Sequence, residues 1–136
     1  MKKIVILLSA LALLCGCAPK MLNNMAVDSV PADHPDYAVI YFYRTGGFVQ
    51  TPYTVYVNND AVYRSKNKTK AVVRIDKPGR YEIWGKTESR SSLTVNIEMG
   101  KEYYVKTSVN FGAAIWRPNL ELIDHSSAEA EFDSIR

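Results

Sequence analysis

Apolar and polar side chains alternate in short runs from about residue 37 to residue 123. A period of two puts successive side chains on opposite faces of a β-strand. The pattern predicts strands over residues 37–44, 53–57, 61–64, 69–75, 81–87, 92–98, 102–109 and 119–123. Because no helical period separates these runs, they indicate an all-β fold, an antiparallel β-sandwich or a barrel.

Turn residues separate the runs. Asn-Asn-Asp at 58–60 tolerates positive φ and predicts a hairpin between its flanking strands. The Pro-Gly pair at 78–79 fits the two central positions of a type II turn. Residues 126–135 predict a short C-terminal helix, because Ser126 or Ser127 can cap its first turn.

The alternation also predicts the core. Leu93, Val95 and Ile97 point inward, and the residues between them point outward. The same rule adds these side chains to the core: Val73, Ile75, Tyr81, Ile83, Tyr103, Val105, Leu120 and Leu122. The run 38–43 is apolar on both faces, so it is either covered on both sides or exposes a row of tyrosines.

The first residues have a different pattern. A basic start at 2–3 precedes an apolar run at 4–14, which is too short for the ~20 residues that span a hydrocarbon core. This pattern is typical of a secretory signal. Leu14 and Gly16 stand at −3 and −1 relative to Cys17 and resemble the lipobox of bacterial lipoproteins. The alternative is an ordinary signal with an incidental cysteine.

That resemblance implies cleavage before Cys17 and lipidation of its sulfur and its new amino group. Two or more acyl chains would anchor the protein stably to a membrane. We therefore predict a signal peptide at 1–16, a lipidated N-terminus and tether at 17–36, and a β-sandwich domain at 37–136. Ala18 implies the outer membrane, facing the periplasm, in bacteria that sort lipoproteins by this position. Apolar residues of the tether can dock onto the domain or the lipid: Met21, Leu22, Met25, Val27 and Val30.

Composition excludes two classes of protein. The chain has 17 basic and 14 acidic side chains, and two of the basic ones lie in the predicted signal peptide. The remainder is almost neutral, which does not match the basic footprint of a nucleic-acid-binding domain. Cys15 and Cys17 are the two cysteines of the chain, so no disulfide can close within the predicted domain.

Several segments resemble a known family. They are Ala-Val-Ile-Tyr-Phe-Tyr-Arg at 38–44, Tyr-Thr-Val-Tyr-Val-Asn at 53–58, Lys-Pro-Gly-Arg-Tyr at 77–81, Gly-Lys-Glu-Tyr-Tyr-Val at 100–105 and Arg-Pro-Asn-Leu-Glu-Leu at 117–122. In this order they resemble the small bacterial lipoproteins of domain of unknown function 2846. The resemblance implies an immunoglobulin-like or transthyretin-like sandwich without an assigned activity, and it transfers no catalytic residue.

The residues themselves predict no catalytic site, no metal site and no cofactor. His34 and His125 are the two histidines, whereas zinc sites need three or four ligands at recognisable spacing. We place His34 in the tether and His125 in the turn before the helix. There is no Gly-x-Ser-x-Gly motif, and the serines lie in predicted turns. Glu82 and Glu98 could pair in space, but carboxylates on strands usually face solvent.

Two segments are candidates for binding. Residues 64–70 carry Arg64, Lys66, Lys68 and Lys70, which suit anionic lipid head groups, or else form a solvated turn that prevents edge-to-edge pairing. Residues 111–118 join two predicted strands yet are mostly apolar. Either this segment closes the end of the sandwich, or it forms an exposed contact with a partner or the bilayer. The candidate contact residues are Phe111, Ile115, Trp116 and Arg117.

A third candidate is a set of aromatic side chains that would stack on sugars if they shared an outer sheet face: Tyr41, Tyr43, Tyr56, Trp84 and Tyr104.

The sequence therefore predicts a lipid-anchored protein of the bacterial envelope with a non-enzymatic binding or structural role. Its partners would be the membrane, through lipidated Cys17, and an envelope protein or glycan, and its oligomeric state stays open. The alternative is a module that binds envelope glycans or lipid head groups. A hydrolase is the third option, and it requires His34 or His125 to meet a carboxylate or a serine in a pocket.

Overall fold

The computed structural model describes residues 24–136. It contains the strands β1 (Asn24–Met25), β2 (Ala38–Arg44), β3 (Tyr53–Val57), β4 (Asp60–Ser65), β5 (Thr69–Ile75), β6 (Gly79–Lys86), β7 (Arg90–Ile97), β8 (Glu102–Gly112) and β9 (Ile115–Ile123). A 3₁₀ turn covers Val27–Ser29, and the helix α1 covers His125–Ser134. The predicted β-sandwich with a short C-terminal helix is confirmed.

The strands form two sheets. Sheet A has the order β1-β5-β2-β8-β9, and sheet B has the order β4-β3-β6-β7. All pairs are antiparallel except β2 and β8, which run parallel with Ile40 opposite Tyr103. Parallel strands need a long crossover connection, and the chain supplies it because it leaves sheet A after β5, builds β6 and β7 in sheet B, and returns to sheet A beside β2.

Strand β2 is covered on both faces. Ala38, Ile40 and Phe42 join the core between the sheets. Val39, Tyr41 and Tyr43 join a second cluster beneath α1, which contains Ala128, Phe132 and Ile135. Of the two possibilities for this run, double coverage is therefore the one observed.

Most of the predicted core is also confirmed. Val95, Ile97, Val73, Ile83 and Val105 are buried between the sheets. Leu93, Tyr81, Tyr103 and Leu120 are partly buried against the same cluster. Leu122 was predicted in the core, and this is wrong, because the side chain is 49% exposed. It lies on β9, the edge strand of sheet A, and has a paired strand on one side only.

The ends of α1 and of the β3–β4 hairpin follow local rules. Asn58 adopts a φ of 51° in the hairpin turn, as the sequence predicts. The cap of α1 differs from the prediction, since it is Asp124 and neither Ser126 nor Ser127. The Asp124 carboxylate accepts hydrogen bonds from both serine hydroxyls and from the Ser127 amide at 3.0 Å. Those hydrogen bonds lower the pKa of Asp124.

The second half of the predicted tether packs against the domain. Asn24 and Met25 pair with β5 as the edge strand of sheet A. Met25, Val27 and Val30 then pack against the cluster beneath α1. Docking onto the domain is thus the outcome for these three residues, and residues 18–23 lie outside the described part of the chain.

We predict that Val95→Asp removes most of the stability of the domain. Val95 is 3% exposed, and a buried carboxylate without a partner costs about 4 kcal/mol or more. Asn96→Asp is the matched control, because Asn96 is exposed on the other face opposite Arg80. Its free energy of unfolding should stay within about 0.5 kcal/mol of wild type. Urea denaturation measures both, and a larger loss for Asn96→Asp would contradict the face assignment.

Candidate functional site

The predicted anchor lies outside the described residues. Cys17, the signal peptide at 1–16 and the first part of the tether all precede Asn24. The other candidate residues fall within the described part of the chain, so their surroundings can be given.

The candidate contact segment at 111–118 is a strand hairpin. Strands β8 and β9 extend to Gly112 and Ile115, and Phe111 pairs directly with Trp116. The turn between them is Ala113 and Ala114, both in left-handed backbone conformation with φ of 48° and 68°. Glycine or asparagine usually occupies such positions, so the turn residues gave no sign of a hairpin here.

The four candidate contact residues have different surroundings. Trp116 packs partly against the core, and its backbone binds the Thr87 hydroxyl at 2.6 Å and the Glu88 carboxylate at 2.7 Å. Phe111 is 60% exposed and lies against Trp116 with ring centroids 4.6 Å apart. Ile115 is half-buried and Arg117 is exposed. The hairpin tip thus combines a packed tryptophan with an exposed phenylalanine.

The basic run at 64–70 does not form one surface. Arg64 is exposed and donates to the Thr54 hydroxyl at 3.0 Å, on sheet B. Lys66 and Lys68 are exposed in the β4–β5 turn. Lys70 points to the opposite side of the domain, where its ammonium donates to the Phe132 carbonyl in α1 at 3.3 Å. A flat membrane surface would therefore meet only part of this set.

The five candidate aromatic residues divide between two faces. Tyr41, Tyr43 and Tyr104 lie on the outer face of sheet A and are covered by Phe132 of α1. Tyr56 and Trp84 lie on the outer face of sheet B as half-buried cross-strand neighbours. Their rings stack with centroids 4.3 Å apart and planes 10° apart. Only this second pair is available to a ligand on a sheet face.

The outer face of sheet B carries rows of aligned side chains. In one row Arg64 pairs with Thr54, and Lys86 pairs with Arg90. Because Val55 pairs with Gly85, Thr54 and Lys86 are also neighbours across β3 and β6. This row, which we call the basic row, crosses all four strands of sheet B.

The next rows of the same face are aromatic and polar. Tyr56 and Trp84 continue to Ser92, and Glu82 pairs with Thr94. The Trp84 ring is held by a hydrogen bond from Nε1 to the Asn58 carbonyl at 2.7 Å. The alternation in the sequence indicates that these positions lie on the outer face of their strands. Their alignment across the sheet depends on strand register, which no local pattern specifies.

A groove of about 370 Å³ opens on the other side of the domain, between the docked N-terminal segment and α1. Glu102 lies in it and meets both histidines of the chain. Its Oε1 is 3.1 Å from His34 Nε2, and its Oε2 is 3.9 Å from His125 Nδ1. The Tyr41 hydroxyl donates to the same carboxylate at 3.3 Å. His34 lies within the predicted tether segment and is 5% exposed, because that segment packs against the domain.

The surroundings of His34 determine its charge. Its Nδ1 is 3.0 Å from the Tyr37 carbonyl, and its Nε2 faces Glu102. A carbonyl and a carboxylate oxygen only accept hydrogen bonds, so both ring nitrogens need a proton, which is the imidazolium form. Burial lowers the pKa of His34, but the hydrogen bonds to Tyr37 and Glu102 outweigh it and raise the pKa above 6.5.

The groove offers little chemistry beyond this ion pair. Its lining contains Tyr41 and Tyr104, whose pKa values burial raises, that of Tyr104 to about 12, and both therefore stay protonated at neutral pH. No serine, cysteine or lysine is among the lining residues that the structure describes. Among residues 24–136 there is also no group of three or more His, Cys, Asp or Glu side chains that could hold a metal ion.

We predict that the His34 ion pair makes stability depend on pH. Because the folded-state pKa is raised, the stabilisation is complete below the unfolded value near 6.5 and disappears as the pH rises through the folded-state value. Thermal denaturation from about pH 6 to pH 9 should show the loss in wild type and a flatter profile in His34→Gln. His125→Gln leaves the pair intact and should keep the wild-type slope. An unchanged slope in His34→Gln would disprove the assignment.

The hairpin tip gives a second prediction. Trp116→Ala should lower the free energy of unfolding by about 2 kcal/mol. This is less than the loss for a fully buried tryptophan, because the Trp116 side chain is only half-buried. Phe111→Ala should change it by less than about 1 kcal/mol, because the ring is mostly exposed. Chemical denaturation compares the two, and a larger loss for Phe111→Ala would reverse the roles given to these side chains.

Comparison of the chain with models of known families, with curated proteins and with solved structures finds no match. The resemblance to domain of unknown function 2846 therefore stays a prediction. In the part of the chain that the structure describes, no helix has both the length and the apolar character needed to cross a membrane.

Proposed function

We propose that this chain is a lipid-anchored β-sandwich of the bacterial envelope that binds another envelope component without catalysis. The lipobox that ends at Cys17 supports the anchor and, with Ala18, the outer membrane. The sandwich supports a display scaffold, because apolar side chains of both sheets pack into one core.

Within residues 24–136 no helix or strand covers the outer face of sheet B, and this observation carries the binding role. Sheet A is covered by α1 and by the docked segment around Met25 and Val27. Sheet B instead presents exposed Arg64, Lys86 and Arg90 beside a half-buried aromatic pair. Aromatic and arginine side chains are enriched where proteins bind partners.

The hairpin tip is a second candidate contact. Phe111 is one of the large apolar side chains most exposed in residues 24–136, and Arg117 is exposed on the adjacent strand. Arg117 pairs with Asn110 and therefore faces the other side of the hairpin from Phe111 and Trp116. The exposed Phe111 ring suits a protein partner, because exposed apolar surface marks interaction sites.

A hydrolase has one supporting observation. His34 and His125 both meet the Glu102 carboxylate in a groove, as such an enzyme would require. His34 is held on both ring nitrogens, however, and the described lining offers no serine or cysteine nucleophile. We therefore rank catalysis below binding.

The anchor is tested by labelling with an alkyne fatty acid. Wild type should incorporate the label, and Cys17→Ser should lose it together with signal cleavage, because the acyl-accepting sulfur is gone. Cys15→Ser is the matched control and should label like wild type, since Leu14 before Cys15 is not a small residue. Equal labelling of Cys17→Ser and wild type would contradict the proposal, as would loss of label in Cys15→Ser alone.

A further inference from the structure

We propose that the outer face of sheet B binds an acidic polysaccharide, a chain of pyranose rings that carries carboxylate or phosphate groups. This inference rests on the proposed function, because it names the ligand of the same face. Three features of the face support it, namely the spacing of its cations, its stacked aromatic pair and its uncharged polar strand.

The basic row matches a repeating anion. Neighbouring strands lie about 4.8 Å apart, so Arg64 and Arg90 are separated by roughly 14 Å across the sheet. Lys86 lies between them, and the strand spacing is close to the length of one sugar ring along a glycan. A compact anion would meet at most the neighbouring Lys86 and Arg90, whereas an extended polyanion would also reach Arg64. Arginine also binds carboxylate and phosphate in a bidentate way.

The charge of the face is complementary to an anion. Arg80 adds a fourth cation, and Glu82 is the acidic side chain that the described part of the face contains. Glu82 accepts from Arg90, so these two charges compensate each other, and Arg64, Lys86 and Arg80 supply the excess positive charge of the face. Neither Arg64 nor Lys86 has a carboxylate partner within residues 24–136, so both are free to meet a ligand.

The aromatic pair adds a surface for sugar rings. Tyr56 and Trp84 are in the row next to the basic row. Tyr56 stacks on Trp84 from the β3 side, and Arg90 of β7 lies 4.1 Å from the centre of the Trp84 ring, so the ring of this pair that a sugar can reach is Tyr56. The face of an aromatic ring is partially negative. The polarised C–H groups of a pyranose are partially positive and pack against it, as the edge of another aromatic ring does. The Trp84 indole is held in place by Asn58, so little side-chain freedom is lost on binding.

Strand β7 supplies groups for hydroxyls. Ser92, Thr94 and Asn96 are exposed on the same face, each opposite a residue of β6. Their hydroxyl and amide groups both donate and accept hydrogen bonds, as sugar hydroxyls do. A polyanion without hydroxyls would leave this strand unused.

A membrane surface fits the face less well. Interfacial binding gains most of its energy from apolar side chains that enter the lipid. The large apolar side chains that are most exposed in the described residues are Phe48, Phe111 and Leu122, and none of them belongs to sheet B. The face is instead flat and polar, with its two rings stacked on each other.

Binding is tested with the full chain in detergent micelles and with oligogalacturonate as the probe. Calorimetry should show saturable binding to oligogalacturonate and at least about tenfold weaker binding to its methyl ester, which keeps the rings and loses the charges. Added salt should weaken the first interaction. No binding to oligogalacturonate would overturn the inference.

Two charge-matched variants locate the interaction. The first is a triple variant that removes the basic row, with Arg64→Gln, Lys86→Gln and Arg90→Gln. Its affinity for oligogalacturonate should fall at least about tenfold. The second is a control triple variant that removes the same charge from exposed turns outside the face, with Lys66→Gln, Lys68→Gln and Lys77→Gln. It should keep wild-type affinity. Equal losses would mean non-specific attraction and would overturn the inference.

Tyr56→Ala tests the ring surface and should weaken binding to the methyl ester as well, because that interaction does not depend on charge. Unchanged affinity for both probes would leave the aromatic pair without a role and would contradict the sugar assignment. Thermal melts of each variant show that its fold is retained.

A lipid occupant is separated by adding phosphatidylglycerol to the micelles. If phosphatidylglycerol binds more tightly than oligogalacturonate and displaces it, and if this displacement requires the basic row, the face belongs to lipid head groups and the inference is overturned. A chain that incorporates the alkyne label but does not bind the glycan contradicts this inference alone. A chain that binds the glycan but takes no label contradicts the proposed anchor alone.

Discussion

Strand β2 is the element on which the rest of the structure depends. All seven of its residues are buried, and its two faces belong to different clusters. Its backbone groups find partners in β5 on one side and in β8 on the other, which satisfies polar groups that water cannot reach. The strand ends in Arg44, which is 2% exposed and donates to the carbonyls of Val49 and Thr51 at 2.8 Å. The same strand thereby fixes both sheets, the helix layer and the loop at 45–52.

The face of β2 that lies beneath α1 carries tyrosines whose hydroxyl groups need hydrogen-bond partners. The Tyr43 hydroxyl donates to Glu131 of α1 at 2.8 Å, and Lys106 pairs with the same carboxylate at 3.0 Å. These contacts lower the pKa of Glu131. The Tyr41 hydroxyl reaches Glu102, which also holds His34. The histidine groove is therefore a place where buried polar groups of the covered sheet and the docked segment find partners.

The sequence predicts features that depend on the local alternation of apolar and polar residues. It does not predict features that depend on pairing between distant segments. The strand positions and the inward residues Val95 and Ile97 follow from a period of two. The parallel pairing of β2 with β8 joins residues about 60 positions apart, and no local signal marks it. The apolar segment at 111–118 looked like a loop, because its turn uses Ala113 and Ala114 where glycine or asparagine is usual. The burial of His34 depends on Glu102, 68 positions away, and was likewise invisible.

The two outer faces of the sandwich differ in what packs against them. The described chain begins at Asn24 on the edge of sheet A, beside β5, and His34 ties the same segment to β8. Sheet B lies on the other side of a core about 10 Å thick. Because the ion pair at His34 weakens as the pH rises, alkaline conditions should loosen the hold of the docked segment on β8.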